Sequence, residues 1–319
     1  MVISLSNEIT TTSSNAFAPK APINNDLVGY DPVKKINFLY DIHTSNISFI
    51  QTARDLYHLG VKNNKFFLKL YDPQLQGVNP YSPALDMDTI KRIIIECVRN
   101  PWYFLREISR IPEQGSAQGP GSGSKYLLHR GNLAATYCYL NNINLYFVIP
   151  RQCGKTQSML AILLWTYLFG TTNSEFTFMN KSQKDANENL SRLKAQKELL
   201  PFYLQQKYQI ENGEIKEAKG TDNVQTIHNA LNNNRIVTKP SAKTIESAEN
   251  VGRGTTSPIQ FFDEVEFTSH IGYIIGASGP AFVQASKNAF RNHAPYCRVF
   301  ITTPKTLGIY KVIYRESAL

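Results

Sequence analysis

The stretch from Asn144 to Thr156, Asn-Leu-Tyr-Phe-Val-Ile-Pro-Arg-Gln-Cys-Gly-Lys-Thr, constrains this chain more than any other. Its apolar start reads as a buried strand and a compact turn follows. Gly154-Lys155-Thr156 then opens a long apolar segment, Met159 to Phe169. Strand, phosphate loop and helix in that order is the context that makes a Gly-Lys-Thr match a nucleotide site. Loop amides and the helix N-terminus hold polyphosphate, Lys155 neutralises the outer phosphates, and the Thr156 hydroxyl ligates magnesium. Ile149 stands where the common pattern has its first glycine, and Arg151-Gln152 sits inside the loop, so the loop is of an unusual subclass.

A loop of this kind needs carboxylates nearby, and Ile259-Gln260-Phe261-Phe262-Asp263-Glu264 supplies them. An apolar strand running into two adjacent acids brings them out at the carboxyl end of a parallel sheet, where ligands bind in open α/β folds. Asp263 suits a magnesium ligand, through water. Glu264 suits the group that orients or deprotonates the water attacking the γ-phosphate. Glu266 falls on the opposite strand face and reads as a bystander. Gly252-Arg253-Gly254 is either an ordinary turn with a solvated arginine or a mobile loop carrying a cationic donor. Phe300-Ile301-Thr302-Thr303-Pro304 is a strand ending in hydroxyls, fit to sense the γ-phosphate.

Strands alternating with helices after residue 140 predict a parallel sheet with crossovers: Glu175 to Met179, Arg235 to Thr238, Ile259 to Phe262 and Arg298 to Thr302. Ser182 with Asp185 three residues on predicts a helix start, with Leu190, Leu193 and Leu199 as the apolar face. Its lysines and arginines, Lys184 and Arg192 among them, mark either a solvated or a DNA-facing side. Residues 203–233 read as a polar hairpin or excursion. Earlier, Asn46 to Leu59 is a predicted helix with Ile47, Ile50, Leu56 and Leu59 inward and Gly60 as C-cap. Asp88 to Val98 is another, capped by Asp86 or Asp88. The aromatic run Trp102-Tyr103-Phe104 either packs this region or covers a base. Helical spacing resumes from Tyr126 to Leu140. Residues 1–25 have no periodicity and read as a mobile tail, and Gln114 to Ser124 as a flexible Gly/Ser-rich connector or lid loop.

The domain reading is therefore a tail at 1–25, a helical N-terminal or lid subdomain at 26–125, and a nucleotide-binding core at 126–319. The 319 residues suffice for about two domains. A formal net charge of +9 favours an anionic partner, and nucleic acid is the usual one. Cys97, Cys138, Cys153 and Cys297 are scattered without a C-x-x-C, which argues for a reducing compartment and against structural zinc. No apolar run reaches the roughly 20 residues of a membrane span, and no signal pattern opens the chain.

Together these stretches resemble the ATPase motor domain of the large terminase subunit of tailed phages, over about residues 126–319. That family's phosphate loop carries Arg-Gln-x-Gly-Lys-Ser/Thr, and Arg151-Gln152-Cys153-Gly154-Lys155-Thr156 fits it. The resemblance implies a P-loop NTPase of the ASCE type, α/β, with a mostly parallel central sheet flanked by helices and a smaller, mainly helical N-terminal subdomain. It implies ATP and Mg2+ as cofactors, held by Arg151 to Thr156 and by Asp263, with Glu264 the catalytic carboxylate. Arg253, eleven residues before Glu264, lies in the Arg-Gly segment where the family places an arginine acting on a neighbouring subunit's ATP. Arg151 is the second candidate for stabilising phosphoryl charge. Thr302-Thr303-Pro304 looks like the family's coupling motif, and the adenine contacts do not carry over beyond a position near Tyr126 to Asn132.

The implied activity is ATP-driven packaging of double-stranded DNA into a procapsid. Portal protein and small terminase subunit are the expected partners, in a homo-oligomeric ring, in the host cell cytoplasm. Family members usually continue into a nuclease domain with an acidic metal cluster. This sequence stops at Leu319, so a motor without nuclease activity is expected. The alternatives are a superfamily helicase, which should carry a Gly-rich loop and a second motor domain, and a catalytically idle nucleic-acid-binding assembly protein.

Overall fold

The computed structural model describes residues 27–113, 119–211, 214–217, 222–253 and 256–304, with side chains of 208–221 left aside. The tail expected at 1–25, the start of the Gly/Ser-rich stretch and the segment after Pro304 lie outside the described residues.

Three short antiparallel strands come first: β1 (Val28–Asp31), β2 (Ile36–Tyr40) and β3 (Lys69–Leu70). Strands of two to five residues are too short for an alternating pattern to register. Helix α1 (Ile47–His58) forms as expected and ends at Gly60. Gly60 takes φ +75°, and Val61 N donates to the Leu56 carbonyl at 2.9 Å, which closes a Schellman-type cap. Its buried face corrects the expectation. Phe49, Ile50, Thr52 and Ala53 point inward while Ile47 and Leu59 are exposed. The stripe runs through Phe49 and Ala53, and Thr52 is tolerated inside because its hydroxyl donates to the Leu128 carbonyl (2.9 Å).

Helix α2 (Met87–Arg99) is capped by Asp86, whose carboxylate accepts from Thr89 N at 2.7 Å. The aromatic run after it is core: Trp102, Tyr103 and Phe104 are all buried. The expected connector is anchored where it is described. Gly121 N donates to the Leu199 carbonyl (2.9 Å), and Ser124–Lys125 pairs with Arg110–Ile111. Helix α3 (Arg130–Leu140) starts four residues later than expected. Tyr126 and Leu128 are buried in an extended segment that the Asn46 amide clamps through the Tyr126 carbonyl (2.9 Å).

The central sheet has six strands. They are β4 (Leu145–Val148), β5 (Glu175–Met179), β6 (Thr226–Asn229), β7 (Asn234–Lys239), β8 (Ile259–Asp263) and β9 (Cys297–Thr302). Their order is β6-β7-β5-β8-β9-β4, parallel throughout except for the β6/β7 hairpin at one edge. Flanking them are α4 (Lys155–Trp165), α5 (Gln183–Glu198), α6 (Ile245–Arg253) and α7 (Ile271–Arg291). This is the expected α/β class. Strand β9 lies between β4, which leads into the Gly-Lys-Thr loop, and β8, which ends in the acids.

Every residue of β8 and β9 is buried, as fits parallel strands covered on both faces. Alternate residues of β8 feed two cores. Phe261 stacks on Phe178 (6.0 Å between centroids) beside Tyr139, while Phe262 stacks on Phe300 (5.0 Å) against Ile274 and Ile275 of α7. The register aligns Asp263 with Ile301, Thr302 with Val148 and Phe262 with Met179. Four strand ends therefore meet along one edge, and that edge holds the site.

Helix α6 seats on α7 through Gly252. A Cβ there would lie 2.6 Å from the Ile274 carbonyl oxygen and 3.1 Å from Ser278 N, both backbone atoms that cannot rotate away. Gly252→Ala is expected to destabilise the fold by about 1–3 kcal/mol despite its better helix propensity. A fall in the urea midpoint at unchanged m-value checks this; an unchanged or higher midpoint would refute the seating.

Among the described residues no helix is long and apolar enough to cross a membrane.

Candidate nucleotide site

The loop after β4 is built by backbone geometry. Gln152 (φ +64°) and Gly154 (φ +69°) both take left-handed conformations, and the second swings the chain directly into α4. Glycine adopts this freely, whereas glutamine holds it at a cost of order 1 kcal/mol, the kind of strain that collects at functional sites. Ile149 N donates to the Thr302 carbonyl (3.2 Å), tying the loop to β9. Lys155 and Thr156 occupy the first turn of α4, with Lys155 buried.

Asp263 ends β8 and is only 4 % exposed. Its Oδ2 accepts from Asn189 Nδ2 at 3.0 Å, from the Thr156 hydroxyl at 3.2 Å and from Asn180 Nδ2 at 3.5 Å; Oδ1 accepts from Glu264 N at 3.0 Å. Burial raises its pKa above the usual carboxylate range. The Asn189 and Thr156 hydrogen bonds oppose this, and the neighbouring Glu264 charge adds to it. Glu264 turns out of the strand with φ +53° and places its carboxylate 3.7 Å from Lys155 Nζ and 3.3 Å from the Thr303 hydroxyl.

A buried carboxylate and a hydroxyl 3.2 Å apart are hard oxygen donors, the chemistry that suits magnesium. No cluster of three or more His, Cys, Asp or Glu exists among the described residues. A cation held here takes its remaining ligands from phosphate and water, the usual state of magnesium at nucleotide sites. The residues present fit that ion.

No family model matches this chain, and no curated protein does. Solved structures do. Two structures of the large terminase ATPase domain of Thermus phage P74-26, one with an arginine-to-alanine substitution, are similar to it at 16% and 14% identity. They cover 58% and 57% of this chain and 68% of theirs, with a TM-score of 0.36 in both cases. A likeness this distant carries no weight for function, which rests on the geometry above.

The structure brings together Lys155, Thr156, Asp263, Glu264 and Thr303. Thr302 contributes from behind, its hydroxyl accepting from Glu266 N (3.3 Å) and donating to the Thr303 carbonyl (3.2 Å). Glu266 lies in the turn after the acids, where Tyr146 of β4 donates its hydroxyl to the carboxylate. Arg151 is exposed in the loop turn. Arg253 departs from its expected setting. It ends helix α6 and is not on a loop; its side chain is 68 % exposed and ion-paired with Glu249 at 2.9 Å. Gly252, read in sequence as part of a turn or mobile loop, lies in helix α6 where α7 leaves no room for a Cβ.

Three contributors escaped the sequence reading. Asn180 sits one residue past β5, beside Asp263 in the sheet register. Asn189 lies among Ala186, Leu190 and Leu193 on the buried stripe of α5, and an amide inside an apolar stripe is the signal that could have found it. His129 caps α3 through Nδ1, accepting from Gly131 N and Asn132 N. Burial holds its pKa down, with the Cys153 backbone pulling the other way.

Proposed function

We propose that this chain is a magnesium-dependent ATPase that drives double-stranded DNA, of the terminase large-subunit kind. One observation carries the reading: Lys155, Thr156, Asp263 and Glu264 converge at the carboxyl edge of a parallel sheet, and the acid strand is separated from the phosphate-loop strand by a strand ending in Thr302-Thr303.

In this reading the loop amides and Lys155 bind the phosphates of ATP, and Thr156 with Asp263 holds Mg2+. The ion, when bound, neutralises charge on the outer phosphate oxygens. Lys155 now pairs with Glu264, and its transfer to phosphate leaves that carboxylate to orient the attacking water and take its proton. Thr303, bonded to Glu264, is placed to register whether the γ-phosphate is present, and Thr302 links it to the Glu266 turn. Arg253 acts on a neighbouring subunit's nucleotide, with Arg151 the alternative. The net charge of +9 supports a polyanionic partner. Portal protein and small terminase subunit complete the proposed assembly, a ring in the host cytoplasm.

Steady-state hydrolysis with Mg2+ tests this, with and without linear duplex. Turnover is expected to require Mg2+, to rise with duplex, and to lose that stimulation steeply between about 50 and 200 mM salt, as phosphate contacts do. A labelled duplex should stay paired. Strand separation would favour the helicase reading, and absence of hydrolysis the idle one.

A further inference from the structure

The site holds an amide with no place in the proposed reaction. Asn189 is 3 % exposed on the apolar stripe of α5, where an unbonded amide would be costly. Its Nδ2 donates to Asp263 Oδ2 at 3.0 Å and its Oδ1 accepts from Arg192 Nη1 at 3.3 Å, one helical turn along. A guanidinium has only donors, so the amide oxygen must face Arg192 and the nitrogen must then face the carboxylate. Flipped, Asn189 would set oxygen against carboxylate and nitrogen against guanidinium, losing both bonds.

We propose that Asn189 is a positioning residue for the Asp263 carboxylate and that Arg192 fixes the direction of its amide. The inference rests on the reading of Asp263 as the metal carboxylate. The donors then run inward from the surface: Arg192 to Asn189, and Asn189 with Thr156 to Asp263. With Glu264 N on the other oxygen, the carboxylate is fixed about both its axis and its plane. Arg192 is exposed, so the outermost member of this chain is the one that solution anions reach.

Partners of a metal-holding group typically matter by 10–100-fold in metal affinity. Mn2+ binding to the full chain, followed by electron paramagnetic resonance with and without a non-hydrolysable ATP analogue, reads this without turnover. Asn189→Ala is expected to weaken Mn2+ in the presence of analogue by about 10–100-fold and to leave metal-free analogue affinity unchanged. Arg192→Ala should weaken it in the same direction but less, and Arg192→Lys, which keeps a donor, should recover part of the loss. In the Asn189→Ala background, Arg192→Ala should add nothing, because it acts only through the amide.

Unchanged Mn2+ affinity in Asn189→Ala, or additive losses in the double variant, would overturn the proposal. If Asn189→Ala fails to fold, Arg192→Ala on the surface decides alone, and parental Mn2+ affinity there overturns it. A parent chain that binds neither analogue nor Mn2+ would instead refute the nucleotide-site reading, and the positioning role would fall with it.

Discussion

Glu264→Gln is expected to bind ATP about as well as the parent and to hydrolyse it at least a hundredfold more slowly. The substitution keeps size and the ability to accept from the Thr303 hydroxyl, now at 3.3 Å, but removes the base. A positioned general base contributes roughly 10²–10⁴-fold, so the loss should fall in that range. The backbone argues for the same residue. Glu264 holds a left-handed φ of +53° while Asp263 Oδ1 accepts its N–H at 3.0 Å and the Thr268 hydroxyl donates to its carbonyl at 3.2 Å. A non-glycine residue kept there costs of order 1–3 kcal/mol and persists only when its surroundings enforce it. The effect of that conformation is to turn the carboxylate towards Lys155. Lys155→Ala separates binding from chemistry: it should lose productive ATP binding itself, seen as loss of fluorescent-nucleotide titration, because Lys155 is the buried cation of the loop assigned to the outer phosphates. Near-parental turnover in Glu264→Gln would remove Glu264 from the role of base.

The larger effect is expected at Arg253. Arg253→Ala should lower turnover by on the order of a thousandfold or more with nucleotide affinity largely intact, the scale of an arginine supplied in trans. Its place at the end of a helix is no obstacle. The Glu249 pair that now holds it is exposed, and such pairs contribute about 0–1 kcal/mol. A thousandfold in rate corresponds to about 4 kcal/mol of transition-state stabilisation, so the charge that develops during phosphoryl transfer would outcompete Glu249. A lone subunit should then be a poor enzyme, and specific activity should rise with protein concentration. Mixtures of Arg253→Ala with Glu264→Gln should regain activity, since some interfaces pair an intact carboxylate with an intact arginine. Mixtures that stay inactive where parental assemblies turn over, or dilute monomers that turn over fully, would exclude the trans role. Arg151, exposed in the loop, would then become the preferred residue.

The parts of the site that were legible in sequence are those that local chemistry dictates. An apolar strand, a Gly-Lys-Thr turn and an apolar helix impose their own order, and acids directly after a buried strand can emerge only at its end. The Ser182 cap was equally local: its hydroxyl accepts from Asp185 N at 3.1 Å. What sequence could not deliver are long-range contacts. Asn189 and Asp263 are far apart in the chain and meet only because α5 packs beside the acid strand. Gly252 read as part of a turn or mobile loop because glycine's freedom is visible in sequence and the need for its small volume is not; that need comes from the Ile274 backbone. The start of α3 moved because buried Tyr126 and Leu128 keep that segment extended against a helical pattern.

The seat of α6 on α7 has a mechanical consequence. Most packed helices are separated by side chains, which hop between rotamers and so absorb small displacements. At Gly252 no such cushion exists: Ile274 and Ser278 of α7 would touch even an added methyl through their backbone atoms. Helix α7 begins just past the Glu264 turn, and Arg253 is the residue immediately after the seat. A tilt of α7 would therefore press directly on the backbone of α6 at the residue beside Arg253. In the proposed ring, the arginine offered to a neighbour would then follow the posture of its own Glu264 turn, and the neighbour it touched would receive a report on the state of the sender.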